Sequence, residues 1–198
     1  VILGEPLLKL ASVDSTNTYA VSLLHKDDVI EGTVILADHQ TRGKGQGGNT
    51  WISDAGLNLL FSIILKPVFL MAERQFYLSM CISLGMVDYF KSINKPAFVK
   101  WPNDILLNRK KVAGILIENT VLGQNLYNTV VGIGLNVNQK LFQEDLPNAT
   151  SLSLETGRDH EKSEVLNRIL YCLNLRINTL YAEEFIEIRT AYLNNLWL

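Results

Sequence analysis

A glycine-rich stretch, Thr41 to Trp51, is the part of the sequence best suited to chemistry on an anion. It reads TRGKGQGGNTW, so four of its positions are glycine and two are basic. Glycine lets backbone N–H groups approach a carboxylate or a phosphate without a side chain in the way. At least three kinds of protein use such a loop, and the surrounding sequence must distinguish them.

Two nucleotide-binding motifs fit this loop only in part. Gly43 to Gly48 has the dinucleotide-binding spacing G-x-G-x-x-G, but that motif needs a helix to begin at its third glycine. The turn-rich residues 49–56 and then a strand follow instead. The P-loop spacing fails because Asn49-Thr50 replaces the Lys-Ser/Thr pair that holds phosphate and magnesium. We reject both motifs, and a flexible hairpin loop is the alternative to a ligand-binding loop.

Three other segments carry residues that suit a binding site. Lys100-Trp-Pro-Asn-Asp104 places a lysine, an amide and a carboxylate at a strand end, which suits a polyphosphate and its metal, although it also fits a polar turn. Lys111 opens a strand that has Gly114 in its interior, and residues 132–138 repeat the pattern with two glycines followed by amides. Glycine inside a strand often marks the close approach of a ligand. These two strands predict one pocket floor cleared of side chains, although Lys111 alone could be a solvated surface residue.

The elements that must position these segments follow from the periodicity of apolar residues. The predicted strands cover residues 7–13, 33–38, 58–66, 98–101, 105–107, 112–118 and 127–137, and the predicted helices cover 17–26, 71–93, 164–181 and 184–193. Asp14 to Asn17 supplies side chains that cap the first helix. Short polar turns between the later strands favour antiparallel hairpins. We predict an α+β fold in which helices pack on one mainly antiparallel sheet.

Composition and charge exclude several classes of protein. The chain has 198 residues, of which 47% are hydrophobic and 19% charged, as in ordinary globular domains. A formal net charge of −2 gives no basic field for nucleic acid. No signal peptide is visible and the apolar run 57–65 is too short to span a bilayer. The histidines and the two cysteines lack metal-binding spacing, so we expect buried free thiols in a cytoplasmic protein.

Five segments, in this order along most of the chain, resemble the biotin–protein ligase family. They are Asp14-Ser-Thr-Asn17, Gln40 with the loop through Trp51, Lys100 to Asp104, Lys111 to Glu118, and Gly132 to Val137. Any one of them could arise by chance, but five in the family's order and spacing make a specific resemblance. It implies the class II synthetase-like fold of biotin and lipoyl ligase catalytic domains, here spanning residues 1–198.

The resemblance implies a two-step reaction that uses biotin, ATP and Mg²⁺. The biotin carboxylate attacks the α-phosphate of ATP, which forms biotinyl-5′-AMP and releases pyrophosphate. The ε-amine of a lysine on a biotin carboxyl carrier protein then attacks this mixed anhydride, and AMP leaves. Most of the catalysis in such a reaction is the positioning of two anions.

The resemblance also implies roles for individual residues. The residues expected to act in catalysis are Lys111, Asp104 and Lys100. Lys111 would stand between the biotin carboxylate and the α-phosphate, and Asp104 would act near Mg²⁺ or the incoming amine. The residues expected to bind biotin are Ser15, Thr16, Asn17, Gln40, Gly43, Lys44, Gly45, Gln46, Lys111 and Gly114. The residues expected to bind the nucleotide are Arg42, Trp51, Asn103 and Asn136, with the adenine stacked on Trp51.

The sequence departs from the family pattern in three places. Gln46 stands where many relatives carry a second arginine, so we expect weaker retention of biotinyl-AMP unless Arg42 compensates. The chain ends at residues 196–198, where the family's small SH3-like domain would begin, so that domain is absent or not included. No helix-turn-helix segment precedes Val1, so DNA binding is not expected. A homodimer through a sheet edge stays open by analogy with the family.

Two other functions compete with this interpretation. Lipoate ligases and octanoyltransferases share the fold, but they typically have a different glycine run and lack the Lys-Trp-Pro-Asn-Asp segment. A non-catalytic regulator that binds biotin or its adenylate is the second alternative, and the presence of both Lys111 and Asp104 argues against it.

Overall fold

A computed structural model describes residues 1–26, 28–144 and 146–197. Its strands are β1 (Leu7–Leu10), β2 (Val34–Ala37), β3 (Leu59–Leu65), β4 (Ala97–Lys100), β5 (Asp104–Leu107), β6 (Lys110–Leu122) and β7 (Asn125–Leu135). Its helices are α1 (Thr16–Leu24), α2 (Phe76–Ser92), α3 (Leu152–Thr156), α4 (Lys162–Tyr181) and α5 (Phe185–Leu193). Short 3₁₀ turns cover Gln46–Gly48 and Ala72–Arg74.

All seven strands form one sheet in the order β1-β2-β3-β7-β6-β5-β4. Only the β1–β2 pair is parallel, and the other five pairs are antiparallel. The prediction of a mainly antiparallel sheet in an α+β fold is therefore confirmed. The β6–β7 hairpin forms the long centre of the sheet, and its register pairs Gly114 with Gly134 and Leu116 with Gly132.

The strand β3 shows how the two faces of the sheet differ. All seven of its residues are buried, and successive side chains point to opposite faces. Phe61 and Ile63 join the large core formed with α2, α4 and α5. Ile64 joins a smaller core with Ala20 of α1. The even-numbered side chains of β3 therefore face α1, as do the glycines that pair with them on β7.

Several elements differ from the sequence-based expectation. The strand β6 continues to Leu122, because β7 pairs with it as far as Asn125. The five-residue helix α3 was not predicted, since it is shorter than two turns and shows no periodicity. Leu196 forms a parallel bridge with Val99 and so extends the sheet beyond β4.

The two cysteines are free thiols, but only Cys81 is buried. Burial raises the pKa of its thiol to about 12, so it stays protonated and unreactive. Cys172 is half-buried, which corrects the expectation that both thiols would be buried. Among the described helices, none combines the length and apolarity that crossing a membrane requires.

Candidate active site

The floor of the candidate site is the face of the β6–β7 hairpin that lies toward α1. Glycines occupy the paired positions 114 and 134, and a third glycine at 132 pairs with Leu116. A Cβ atom on Gly134 would lie 2.4 Å from Cε2 of Trp51, and one on Gly132 would lie 2.2 Å from Oδ1 of Asn17. Side chains are therefore excluded here, as the two glycine-containing strands predicted.

Trp51 rests on this floor and forms one side of a cavity of about 240 Å³. A Cβ on Gly114 would also meet the indole ring, at 2.9 Å from Cζ3. Within the described residues, the buried indole N–H of Trp51 has no hydrogen-bond partner. Buried tryptophan N–H groups are normally paired, so this donor is an unsatisfied polar group of the site.

The glycine-rich loop is a hairpin that covers the cavity. The N–H of Trp51 donates to the Gly43 carbonyl at 3.0 Å, and the N–H of Gly45 donates to the Asn49 carbonyl at 2.7 Å. Gly47 and Gly48 form its tip with positive φ angles of 66° and 86°, which few other residues tolerate. This geometry agrees with both the hairpin alternative and a lid, because the hairpin itself lines the cavity.

The base of this hairpin is bonded to the segment that precedes α1. The N–H of Val13 donates to the His39 carbonyl at 3.1 Å, and the N–H of Thr41 donates to the Val13 carbonyl at 2.9 Å. The N–H of Arg42 donates to the Asp14 carbonyl at 2.8 Å. The two segments are therefore held side by side up to Arg42, and the hairpin begins immediately after it.

Gln40 caps α1 and forms the polar wall of the cavity with Thr16 and Asn17. Its Oε1 accepts from the Thr16 N–H at 2.7 Å and lies 3.0 Å from the Thr16 hydroxyl. The prediction that residues 14–17 would cap the helix with their own side chains is wrong, since Ser15 at the N-cap makes no such bond. Gln40 instead supplies the acceptor for the Thr16 N–H, and Asp14 Oδ1 accepts from the Ser15 N–H at 2.7 Å.

The opposite end of the cavity carries charge. Lys111 Nζ lies 2.7 Å from Asp104 Oδ1, and the two side chains are 38% and 19% exposed. The same ammonium lies 5.5 Å from the centroid of the Trp51 indole, within the range of a cation–π contact. An anion that enters the cavity would contact the Lys111 ammonium, which the Asp104 carboxylate already holds in place.

Most of the predicted site residues line the cavity. They are Ser15, Thr16, Asn17, Gln40, Lys44, Gly45, Gln46, Trp51, Asn103, Asp104, Lys111 and Gly114. Gly43 does not line the cavity and packs against the backbone of Trp51, because a Cβ there would overlap the Trp51 carbonyl oxygen.

Besides Gly43, three predicted residues lie outside this lining set. The guanidinium of Arg42 is 82% exposed and 3.7 Å from Asp14 Oδ2. Asn136 is buried and donates its amide N–H to the Thr150 carbonyl at 2.9 Å. Lys100 lines a neighbouring cavity of about 330 Å³, which shares Asp104 and Lys111 with the first. The two cavities therefore meet at the Lys111–Asp104 pair.

Four polar residues at the site were not predicted: Asn49 and Thr50 of the hairpin, which line the cavity, and Glu118 and Ser62, which contact its polar wall. Glu118 Oε2 accepts from the Asn17 amide at 2.7 Å, and Glu118 Oε1 lies 3.8 Å from Lys44 Nζ. Ser62 on β3 contacts both Thr16 and Asn17. Glu118 ends the segment Lys111 to Glu118, and its charge could have indicated a role at the site. Ser62 lies in an apolar strand and carries no sequence signal.

Replacing Gly134 with alanine is expected to force Trp51 off the floor, because the new Cβ would overlap the indole ring. In a Trp101→Phe, Trp197→Phe background, Trp51 alone emits, and its emission should shift to the red with stronger acrylamide quenching. Asn128→Ala on the same strand is the control. Unchanged emission in the Gly134 variant would show that the indole does not depend on this floor.

Comparison with known proteins identifies the family of this chain. Residues 10–136 match the biotin/lipoate A/B protein ligase family. A Bacillus spizizenii protein named bifunctional ligase/repressor BirA is 31% identical over 195 residues, which are 96% of this chain and 59% of that protein. A Mycobacterium tuberculosis biotin–[acetyl-CoA-carboxylase] ligase is 33% identical over 173 residues, 85% of this chain and 62% of the relative. The chain thus spans about three fifths of the length of these relatives.

Solved structures agree with this match. The biotin protein ligase of Aquifex aeolicus, determined in complex with biotin and ATP, has a TM-score of 0.83 and 32% identity, covering 96% of this chain and 78% of that one. The glycine floor and all the strands of the sheet lie within or beside the matched residues 10–136. The chain therefore belongs to the biotin/lipoate A/B protein ligase family.

Proposed function

We propose that this chain is the catalytic part of a biotin–protein ligase, which activates biotin with ATP and transfers it to a lysine of a carrier protein. The observation that carries the proposal is one cavity with a hydrogen-bonding end at Thr16, Asn17 and Gln40 and a charged end at Lys111. Biotin has the matching pattern, since its cyclic urea offers one carbonyl and two N–H groups and its chain ends in a carboxylate. Lipoate and octanoate have no group that needs the hydrogen-bonding end.

The spacing of the two ends supports the same substrate. The polar end touches the floor at Gly132, and Lys111 approaches it at Gly114, which pairs with Gly134. These contacts are two residues apart along β7, or about 7 Å. That separation suits a small bicyclic head group at one end and a flexible chain that brings its carboxylate to the lysine.

Lys111 is proposed to act by charge placement. Its ammonium would lie between the biotin carboxylate and the α-phosphate, offsetting their repulsion and the charge that develops as the new P–O bond forms. The bond from that phosphorus to pyrophosphate breaks in the same step. The neighbouring cavity, with Lys100 and Arg109 on its wall, offers positive charge beyond Lys111 for the nucleotide phosphates.

Mg²⁺ is proposed to arrive with ATP. Among the described residues no group of three His, Cys, Asp or Glu side chains could hold a metal on its own. Mg²⁺ commonly binds through one carboxylate together with substrate phosphates, and Asp104 supplies such a carboxylate. The metal would neutralise phosphate charge. As an alternative to binding the metal, Asp104 would meet the incoming amine. We also propose that the protein acts in the cytoplasm and that its acceptor is a biotin carboxyl carrier protein.

The substrate assay tests the function directly. The protein is incubated with MgATP and biotin, lipoate or octanoate, and acyl-AMP and pyrophosphate are measured by mass spectrometry and a coupled assay. We expect biotinyl-AMP and pyrophosphate with biotin only, followed by transfer to a carrier-protein lysine. Product with lipoate alone would contradict the proposal, and biotin binding without turnover would favour a regulator.

Lys111→Ala is expected to lower the rate of biotinyl-AMP formation by about 10²–10³-fold, the effect of removing a group that stabilises developing charge. Its fold should persist, because a half-exposed ion pair contributes little to stability. Lys110→Ala changes the adjacent, exposed lysine on the same strand and is the matched control. Near-normal turnover in the Lys111 variant would overturn the role assigned to it.

Residues 42–49 are expected to exchange amide hydrogens faster without ligand than with biotin and ATP. The hairpin has few hydrogen bonds and exposed backbone, so local opening should cost little free energy. A bound molecule in contact with Lys44 and Gly45 would hold it closed. Hydrogen exchange with mass spectrometry measures this, with β3 as the internal reference. Equal exchange with and without ligand would argue against a lid.

A further inference from the structure

Ser62 is a fully buried hydroxyl in an otherwise apolar strand, β3. It pairs with Gly132 in the register of the sheet and so shares the face that carries the glycine floor. A buried hydroxyl needs hydrogen-bond partners to offset its loss of water. Its partners are both residues of the polar wall, since Ser62 Oγ lies 2.6 Å from Asn17 Oδ1 and 2.8 Å from Thr16 Oγ1.

The orientation of the Asn17 amide follows from its other contacts. Its Nδ2 donates to the Leu116 carbonyl at 3.3 Å and to Glu118 Oε2 at 2.7 Å, and both of these oxygens accept. The opposite atom of the amide must therefore be the oxygen, which can only accept. The single hydroxyl proton of Ser62 is thus directed to Asn17 Oδ1, the atom that lies against Gly132.

The proton of the Thr16 hydroxyl has two acceptors within the protein. With its proton on Asn17, Ser62 can only accept from Thr16 across the 2.8 Å contact. The other acceptor within reach of Thr16 is Gln40 Oε1 at 3.0 Å. In either case Thr16 gives its proton to the protein and keeps a lone pair for the cavity. The Thr16 hydroxyl oxygen would therefore accept from a ligand N–H group, and it would repel a ligand atom that can only accept.

We propose that Ser62 is a positioning residue, which sets the donor and acceptor pattern of the polar wall so that it accepts the N–H groups of a cyclic urea. The inference rests on the proposed function, because the urea in question is that of biotin. Ser62 itself is not among the residues that line the cavity and would act through Asn17 and Thr16. Without its hydroxyl, Asn17 Oδ1 loses a donor and the Thr16 proton is no longer constrained by Ser62.

The test measures biotin binding and turnover for Ser62→Ala in the full chain. Loss of one partner in a buried polar network should weaken biotin binding about tenfold by isothermal titration calorimetry. The turnover number at saturating biotin and the KM for ATP should stay within about twofold, because the charged end is untouched. Ser62→Cys keeps a weaker donor and should fall between the wild-type chain and the alanine variant.

Thr129→Val is the matched control. Thr129 is also fully buried, and its hydroxyl bonds Asn119 Oδ1 at 2.7 Å on the neighbouring strand. This variant loses a buried hydrogen bond of similar length away from the polar wall, so its biotin affinity should equal that of the wild-type chain. If it weakens biotin binding as much as Ser62→Ala does, the effect is general and the proposal is overturned.

The remaining outcomes separate this inference from the function on which it rests. If the wild-type chain binds biotin and Ser62→Ala binds it equally well, the positioning role is wrong and the proposed function stands. A parallel rise in the biotin Kd and the KM for ATP would also overturn the role. If the wild-type chain binds no biotin, both proposals fail. Should the alanine variant not fold, unchanged biotin affinity in Ser62→Cys overturns the role.

Discussion

The site depends on a stretch of antiparallel sheet that carries no side chains on one face. Trp51 and Asn17 occupy the volume that side chains at positions 134 and 132 would otherwise fill. The strands stay paired through these glycines because β6 and β7 are long and form the centre of the sheet. The conformational cost of these glycines is thus offset by the paired strands on both sides. The indole of Trp51 and the amide of Asn17 can then lie against the strand backbone.

The charged end shows a different balance between stability and function. The Lys111–Asp104 pair is short but partly exposed, so its contribution to folding is small. Its effect is on position, since a lysine held by a carboxylate and an indole face samples fewer rotamers before an anion arrives. If the site brings two anions together, as proposed, it would gain from a cation whose location is already determined.

How far the site could be predicted depended on whether the signal was local. The floor was predictable because Gly114, Gly132 and Gly134 interrupt apolar strands with a period that places them on one face. The cap on α1 was not, because Gln40 reaches Thr16 from 24 residues away and local side chains were the simpler choice. Ser62 could not be identified either, since only the fold shows which hydroxyl in an apolar run faces a polar wall. The antiparallel pairing of the later strands was predictable from the turn signals between them, while the helix α3 was too short to leave a pattern.

The bonding at the base of the glycine-rich hairpin has a consequence for selectivity. Since the segments around Val13 and Thr41 are joined by backbone hydrogen bonds, Gln40, Thr16 and Asn17 belong to one bonded frame, and any opening of the loop would begin at Gly43. A molecule that enters the open site would form its hydrogen bonds with the complete polar wall before the loop closes over it. An acid without the right head group would then leave from the open form, so discrimination would come before closure and before any nucleotide is consumed.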